Sequence, residues 1–322
     1  MRFIAGLFAG LVIGIAVFAV LVSLAVGRPM VETRGFAASF QQKQEIADAI
    51  DQPKIIFVGG SSVDLGISAE QAERLLGRPA VNLGLISPLG AEYILDQTRK
   101  VAKPGDTVVL ALEYHCYDWP GNSRLWLDPM FVQYVTAQDP DYINSLPLWY
   151  RANILARVST PHLATSLLRK FPQRDSSAPR MNDHGDRTDN APESRPVKAD
   201  ARSKPIDQLV EGLAESPKGF DAHTKFTTWA KDNGVRVIAT FPNVGRNSTY
   251  GEDVLSRVEG QIVDFYRSLG VPVVGSLRGA MFDEEDCFDT PFHLIAPAVE
   301  RRTRDLCEEL RPLLGDPARQ ES

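Results

Sequence analysis

The chain of 322 residues holds only 3 cysteines. Cys116, Cys287 and Cys307 show no metal-ligand spacing, so neither a disulfide scaffold nor a zinc module is expected, and nothing points to a cofactor. Dense runs of lysine or arginine are missing too: 35 basic side chains stand against 41 acidic ones, a net charge of -6. Without a basic face to neutralise phosphates, duplex nucleic acid is not an expected partner. There is no internal repeat, and no Lys-Ser/Thr pair completes a P-loop. Glycine (24) and proline (22) are scattered, which excludes a fibrous chain. What remains, 43% hydrophobic and 24% charged residues, is the composition of a folded protein.

The one long apolar run lies at the N-terminus. Phe3 to Gly27 carries no charge, and as a helix it would be roughly 37 Å long, enough to cross a hydrocarbon core of about 30 Å. Residues 1–28 are therefore expected to form a signal anchor. A cleaved signal peptide, with Ala25-Val26-Gly27 as its small-residue site, is the alternative, but its apolar region should be shorter. Arginines flank the run on both sides (Arg2; Arg28 and Arg34), so orientation rests on the very short N-terminal tail. The expected arrangement is a single pass through the cytoplasmic membrane, with the body periplasmic or extracellular.

Beyond the span, residues 29–53 read as a polar helical stalk and 54–322 as the domain. Five short apolar runs, Lys54–Val58, Ala80–Leu83, Thr107–Leu112, Val235–Thr240 and Val271–Val274, alternate with helical patterns such as Val299, Thr303, Leu306, Leu310 and Leu313. That alternation predicts an α/β fold with a parallel sheet covered by helices. Two stretches break the rhythm. Residues 114–171 are rich in aromatics and read as an inserted, partly helical cap. Residues 172–204 are polar and nearly free of large apolar side chains, and they read as a disordered loop.

In an open parallel sheet, reactive groups gather at the carboxyl ends of the strands. The first apolar run ends in Gly59-Gly60-Ser61-Ser62, a turn that would project a serine hydroxyl at the sheet edge; a helix cap made by Ser61 or Ser62 is the plainer reading. Near the C-terminus, Asp289-Thr290-Pro291-Phe292-His293 places a carboxylate and an imidazole together before the last helix. A serine needs an imidazole to take its proton and a carboxylate to orient that imidazole, and Ser61, His293 and Asp289 supply the three groups.

These blocks resemble those of the SGNH/GDSL hydrolase superfamily, whose first block is a strand followed by Gly-Asp-Ser and whose last is Asp-x-x-His before the final helix. The likeness runs from about Lys54 to Leu313, outside the insertion, and looks closest to membrane-anchored members that serve cell-envelope polysaccharide acylation. It implies a three-layer α/β/α sandwich with a five-stranded, flavodoxin-like sheet. It also implies a Ser-His-Asp triad and an oxyanion hole made by the nucleophile's own amide, a second-block glycine matching Gly84, and a third-block asparagine.

Two departures stand out. Gly60 replaces the usual aspartate, and the third block reads Ala111-Leu112-Glu113-Tyr114-His115, without asparagine. A carboxylate cannot donate to an oxyanion unless protonated, so Asn82, Tyr114 and His115 are the replacement donors, with Asn243 a weaker one; Glu113 fits equally a pairing with arginine or a helix N-terminus.

The resulting expectation is a serine-dependent O-acyltransferase or esterase acting on an envelope or exported glycan, with a membrane acyl-transfer partner where transfer is the reaction. A catalytically silent glycan-binding or scaffold protein of the same fold is the alternative. One disulfide, Cys116–Cys287 or Cys287–Cys307, is expected outside the cytoplasm.

Overall fold

The computed structural model describes residues 2–28, 30–118, 127–168, 179–196 and 201–315. They fall into two compact bodies, one of Met1–Ala37 with Asn122–Ala178, the other of Ala38–Gly121 with Pro179–Ser322.

The second body is built on a sheet of five parallel strands: β1 (Ile55–Gly59), β2 (Ala80–Gly84), β3 (Thr107–Leu110), β4 (Arg236–Thr240) and, numbered by its place in the chain, β6 (Val273–Val274). Their spatial order is β2-β1-β3-β4-β6. Strands β1, β2 and β3, mostly apolar and with Asn82 as the polar exception in β2, are buried along their whole length, as expected of a parallel sheet covered on both faces. β5 (Val244–Gly245) and β7 (Met281–Phe282) pair separately.

The C-terminal helix Ala296–Leu314 buries Val299, Thr303, Leu306 and Leu310 of the expected stripe, while Leu313 at its end is partly buried. With helix Ala69–Leu76 it packs over Ile55, Phe57, Val109 and Ile238. Lys54 and Asp106 form a buried ion pair of 2.8 Å beneath β1 and β3.

Glu92, half-buried on helix Gly90–Val101 beside helix Phe220–Asp232, has its carboxyl raised from 4.5 to about 7. Burial is the main cause; Lys225 and Arg99 oppose it and Asp221 adds to it. An acid that holds its proton more tightly when folded loses stability as pH rises from about 4.5 to about 7, and no further above that. Glu92→Gln is thus expected to raise the unfolding free energy by about 2 kcal/mol at pH 8. At pH 4 it should change nothing, which urea denaturation at the two pH values measures.

Three boundaries differ from the sequence reading. The helix Val31–Ala49 is not merely a stalk, because from Ala38 onward it belongs to the sheet body and buries Phe40, Lys43 and Ala47. The polar loop takes up a defined path over 179–196: Asp186 accepts hydrogen bonds from Ser68 Oγ (2.9 Å) and the Ala69 and Glu70 amides (2.6 and 3.0 Å), and His184 O accepts from Asn82 N (2.9 Å). Polar bonds to helix ends and strand edges hold this segment where apolar burial cannot. Residues 172–178 and 197–200 of that expected loop lie outside the described residues.

The expected cap divides. Tyr114 to Asp118 stay in the sheet body, where Tyr117 stacks on His223 at 4.8 Å. Helices Pro129–Gln138, Pro140–Ser145, Leu148–Leu155 and Thr160–Leu168 belong with the N-terminal helix Arg2–Ala25. Phe131, Tyr134, Tyr142 and Tyr150 are buried there. The helix Arg2–Ala25 is long and apolar enough to cross a membrane.

Candidate active site

The site forms where the strand order reverses. The chain runs from β1 to β2 on one side and places β3 on the other, and in open parallel sheets ligands bind at the carboxyl ends of the strands at such a reversal. β1 delivers Gly59-Gly60-Ser61 and the one-turn helix Ser61–Asp64; β3 delivers Glu113.

No side chain of the turn itself caps that helix. Glu113 does so from across the sheet, accepting from Gly60 N (3.0 Å) and Ser62 N (2.9 Å) with its two oxygens. Glu113 is fully buried, and it supplies the acceptor that the orphan amides of the helix start need. Glycine at 60 is required by this approach: a Cβ would lie within 2.6 Å of both Glu113 oxygens and Ser87 Cβ.

The two serines separate cleanly. Ser62 is buried, with its hydroxyl 3.4 Å from Ala111 O. Ser61 is half-buried, and among the described residues neither its hydroxyl nor its N–H makes a hydrogen bond.

Asp289 and His293 are four positions apart, one more than the spacing of the superfamily they resemble, and a tight loop joins them. His293 Nδ1 and Asp289 Oδ1 are 2.5 Å apart. Burial raises the Asp289 carboxyl, but the hydrogen bond and charge of His293 and the charge of Arg187 outweigh it, leaving Asp289 below its ordinary value and ionised.

The loop is held from several sides. Gly245 N donates to Pro291 O (2.7 Å), Asn243 Nδ2 to Phe292 O (2.7 Å) and Asn190 Nδ2 to Leu294 O (3.0 Å). Leu294 N donates to Leu65 O (3.1 Å), tying the histidine loop to the residue after the serine helix. No hydrogen bond joins the Ser61 hydroxyl to the His293 ring.

Three of the expected oxyanion donors, Asn82, Gly84 and Tyr114, are engaged elsewhere. Asn82 Nδ2 gives its protons to Val63 O (3.0 Å) and Ile67 O (2.8 Å). The Gly84 amide donates to Asn82 Oδ1 (2.9 Å). Tyr114 is buried with its hydroxyl 3.4 Å from Pro242 O, and burial pushes its pKa up. These groups brace the turn, whereas the Ser61 N–H is uncommitted. Gly84 also packs so closely on the helix that a Cβ would lie 2.2 Å from Asp64 N.

Three side chains escaped the sequence reading. Lys43, buried on the supposed stalk, donates to Asp64 Oδ1 (2.5 Å) and Gly84 O (2.8 Å). Arg187, from the supposed disordered loop, bonds Asp64 Oδ2 (3.0 Å) and grips both oxygens of Asp189 (2.8 and 3.0 Å). Asp64 therefore receives two cations under the serine helix. Nothing in the sequence marks them, since each is one charge within a polar stretch.

The expected disulfide does not form. Cys116, Cys287 and Cys307 are free and buried in separate places: Cys116 beside Glu113, Cys287 against Gly245, and Cys307 on the C-terminal helix under the sheet. Burial raises all three thiols, Cys287 to about 11 and Cys307 to about 12. Among the described residues no group of three His, Cys, Asp or Glu side chains is placed to hold a metal ion. No protein-family model matches the chain, and no curated protein matches its sequence.

Proposed function

We propose that this chain is a membrane-anchored, outward-facing serine acyl-ester enzyme, an O-acyltransferase or esterase acting on an envelope or exported glycan. The fold proposed with it is the flavodoxin-like α/β/α sandwich of the SGNH superfamily, a reading supported by the parallel order β2-β1-β3-β4-β6. The carrying observation is the Asp289–His293 pair, held by Leu294 N to the residue following the Ser61 helix, together with an unpartnered hydroxyl at the carboxyl end of β1.

In this reading Ser61 Oγ attacks the acyl carbonyl while His293 Nε2 takes its proton, and ionised Asp289 holds Nδ1–H and stabilises the imidazolium. The Ser61 N–H faces the developing oxyanion. The imidazolium then returns its proton to the departing alcohol, leaving an acyl-serine. A sugar hydroxyl or water, deprotonated by His293, releases the acyl group; the first outcome is transfer and the second hydrolysis. The approach of Ser61 to Nε2, to about 2.6–3.2 Å, belongs to the substrate complex.

Full-length protein incubated with p-nitrophenyl acetate should show a transient acetyl adduct by intact mass. Ser61→Ala should abolish the adduct and lower turnover on the order of 10³-fold or more, while Ser62→Ala keeps both. Normal turnover in Ser61→Ala would discard the assignment.

A second reading, a catalytically silent glycan-binding or scaffold protein of the same fold, is favoured by one observation: Asn82, Gly84 and Tyr114, three of the donors expected for the oxyanion, are committed to backbone and side-chain acceptors. It predicts glycan retention by wild-type protein with no adduct at all.

A further inference from the structure

The body formed by 1–37 and 122–178 differs in charge from the rest of the chain. It carries nine basic and five acidic side chains, or eight and five (+3) without Arg2 at the far end of the span, whereas the remainder carries 26 and 36, -10. Among the described residues, the large hydrophobic side chains exposed outside the long helix all lie in this body: Leu148 is 79% exposed, Trp149 49% and Leu168 82%, with Phe36 at 37%. From Val158 to Leu168 there is no charge, with Arg157 immediately before and Arg169-Lys170 immediately after.

The N-terminal helix indicates what covers this surface. Its first 16 residues, Arg2–Val17, are all exposed, a bare length of about 24 Å. A hydrocarbon core of about 30 Å therefore extends past them. It reaches the turns where Phe18, Val22 and Ala25 form a covered stripe, on the part of the body against which helix Thr160–Leu168 packs. Gly27 N donates to Thr136 O (2.8 Å) just beyond, fixing the helix exit to the same body.

We propose that helices Leu148–Leu155 and Thr160–Leu168 form a second membrane contact, seated in the headgroup region of an anionic bilayer. The inference rests on reading Arg2–Ala25 as an anchor. Leu148, Trp149 and Leu168 enter the acyl boundary, where an indole with one apolar and one polar edge is favoured, and the excess positive charge meets lipid phosphates.

The test uses full-length protein in lipid nanodiscs, labelled with an environment-sensitive fluorophore at Leu148→Cys, Trp149→Cys, Phe8→Cys or exposed Lys231→Cys; the three native thiols are buried. Doxyl-lipid quenching is expected at Phe8, Leu148 and Trp149 and not at Lys231, with the signal at 148 and 149 deeper in anionic than in zwitterionic discs. Quenching at Phe8 with positions 148 and 149 behaving like Lys231 would overturn the second contact and spare the anchor. Labels at 148 and 149 shielded from aqueous iodide yet untouched by doxyl lipid would also overturn it, since a second copy or another protein would then be the occupant. An unquenched Phe8 would overturn the anchor itself.

Discussion

Gly60→Ala is expected to destabilise the protein by about 3–5 kcal/mol, although it adds one methyl group. The new Cβ would fall 2.4 and 2.5 Å from the Glu113 oxygens and 2.6 Å from Ser87 Cβ. Overpacking alone costs about 1–3 kcal/mol. Glu113 cannot step aside, because it is fully buried and bonded to two amides. Displacing it strands a carboxylate and two donors, each charge-assisted bond contributing about 1.5–3 kcal/mol. Thermal melts should show a fall of roughly 10 °C or more.

The origin of that effect is checked by a second background. Glu113→Ala by itself should be costly, since the Gly60 and Ser62 amides lose their acceptor. Adding Gly60→Ala to it should cost much less than in wild type, a coupling of about 1 kcal/mol or more in a double-mutant cycle. Strict additivity would show that Glu113 and Gly60 do not constrain one another. The pair gives one steric reason for two features of the sequence, glycine at 60 and a carboxylate at 113: the Glu113 oxygens fill the space that a side chain at 60 would need.

The second large effect concerns Lys43. Lys43→Met keeps the helix and its length but leaves Asp64 Oδ1 and Gly84 O without their donor. Breaking a buried pair from one side costs about 3–5 kcal/mol, and Arg187, which stays on Oδ2, places the expected loss near 3. Asp64→Asn in the same background should recover part of it. A chain beginning at Lys54 loses Lys43, Phe40 and Ala47 together and is expected not to unfold cooperatively, whereas one beginning at Ala38 should. Cooperative urea unfolding of the Lys54 fragment would show that the helix is only a tether.

The sequence alone determined the elements whose signal is local. Short apolar runs specify buried parallel strands, a 3.6-residue stripe specifies the last helix, and 25 uncharged residues specify a helix fit for a bilayer. The Asp289–His293 pair was legible because both residues lie within one short loop. The tertiary structure decided whatever depends on charges far apart in the chain: that Glu113 caps a helix 51 residues earlier, that Lys43 and Arg187 meet at Asp64, and that a polar stretch holds a path through hydrogen bonds. Hydrophobic burial leaves a period in the sequence, whereas a buried ion pair leaves only two ordinary polar letters until folding removes the water between them.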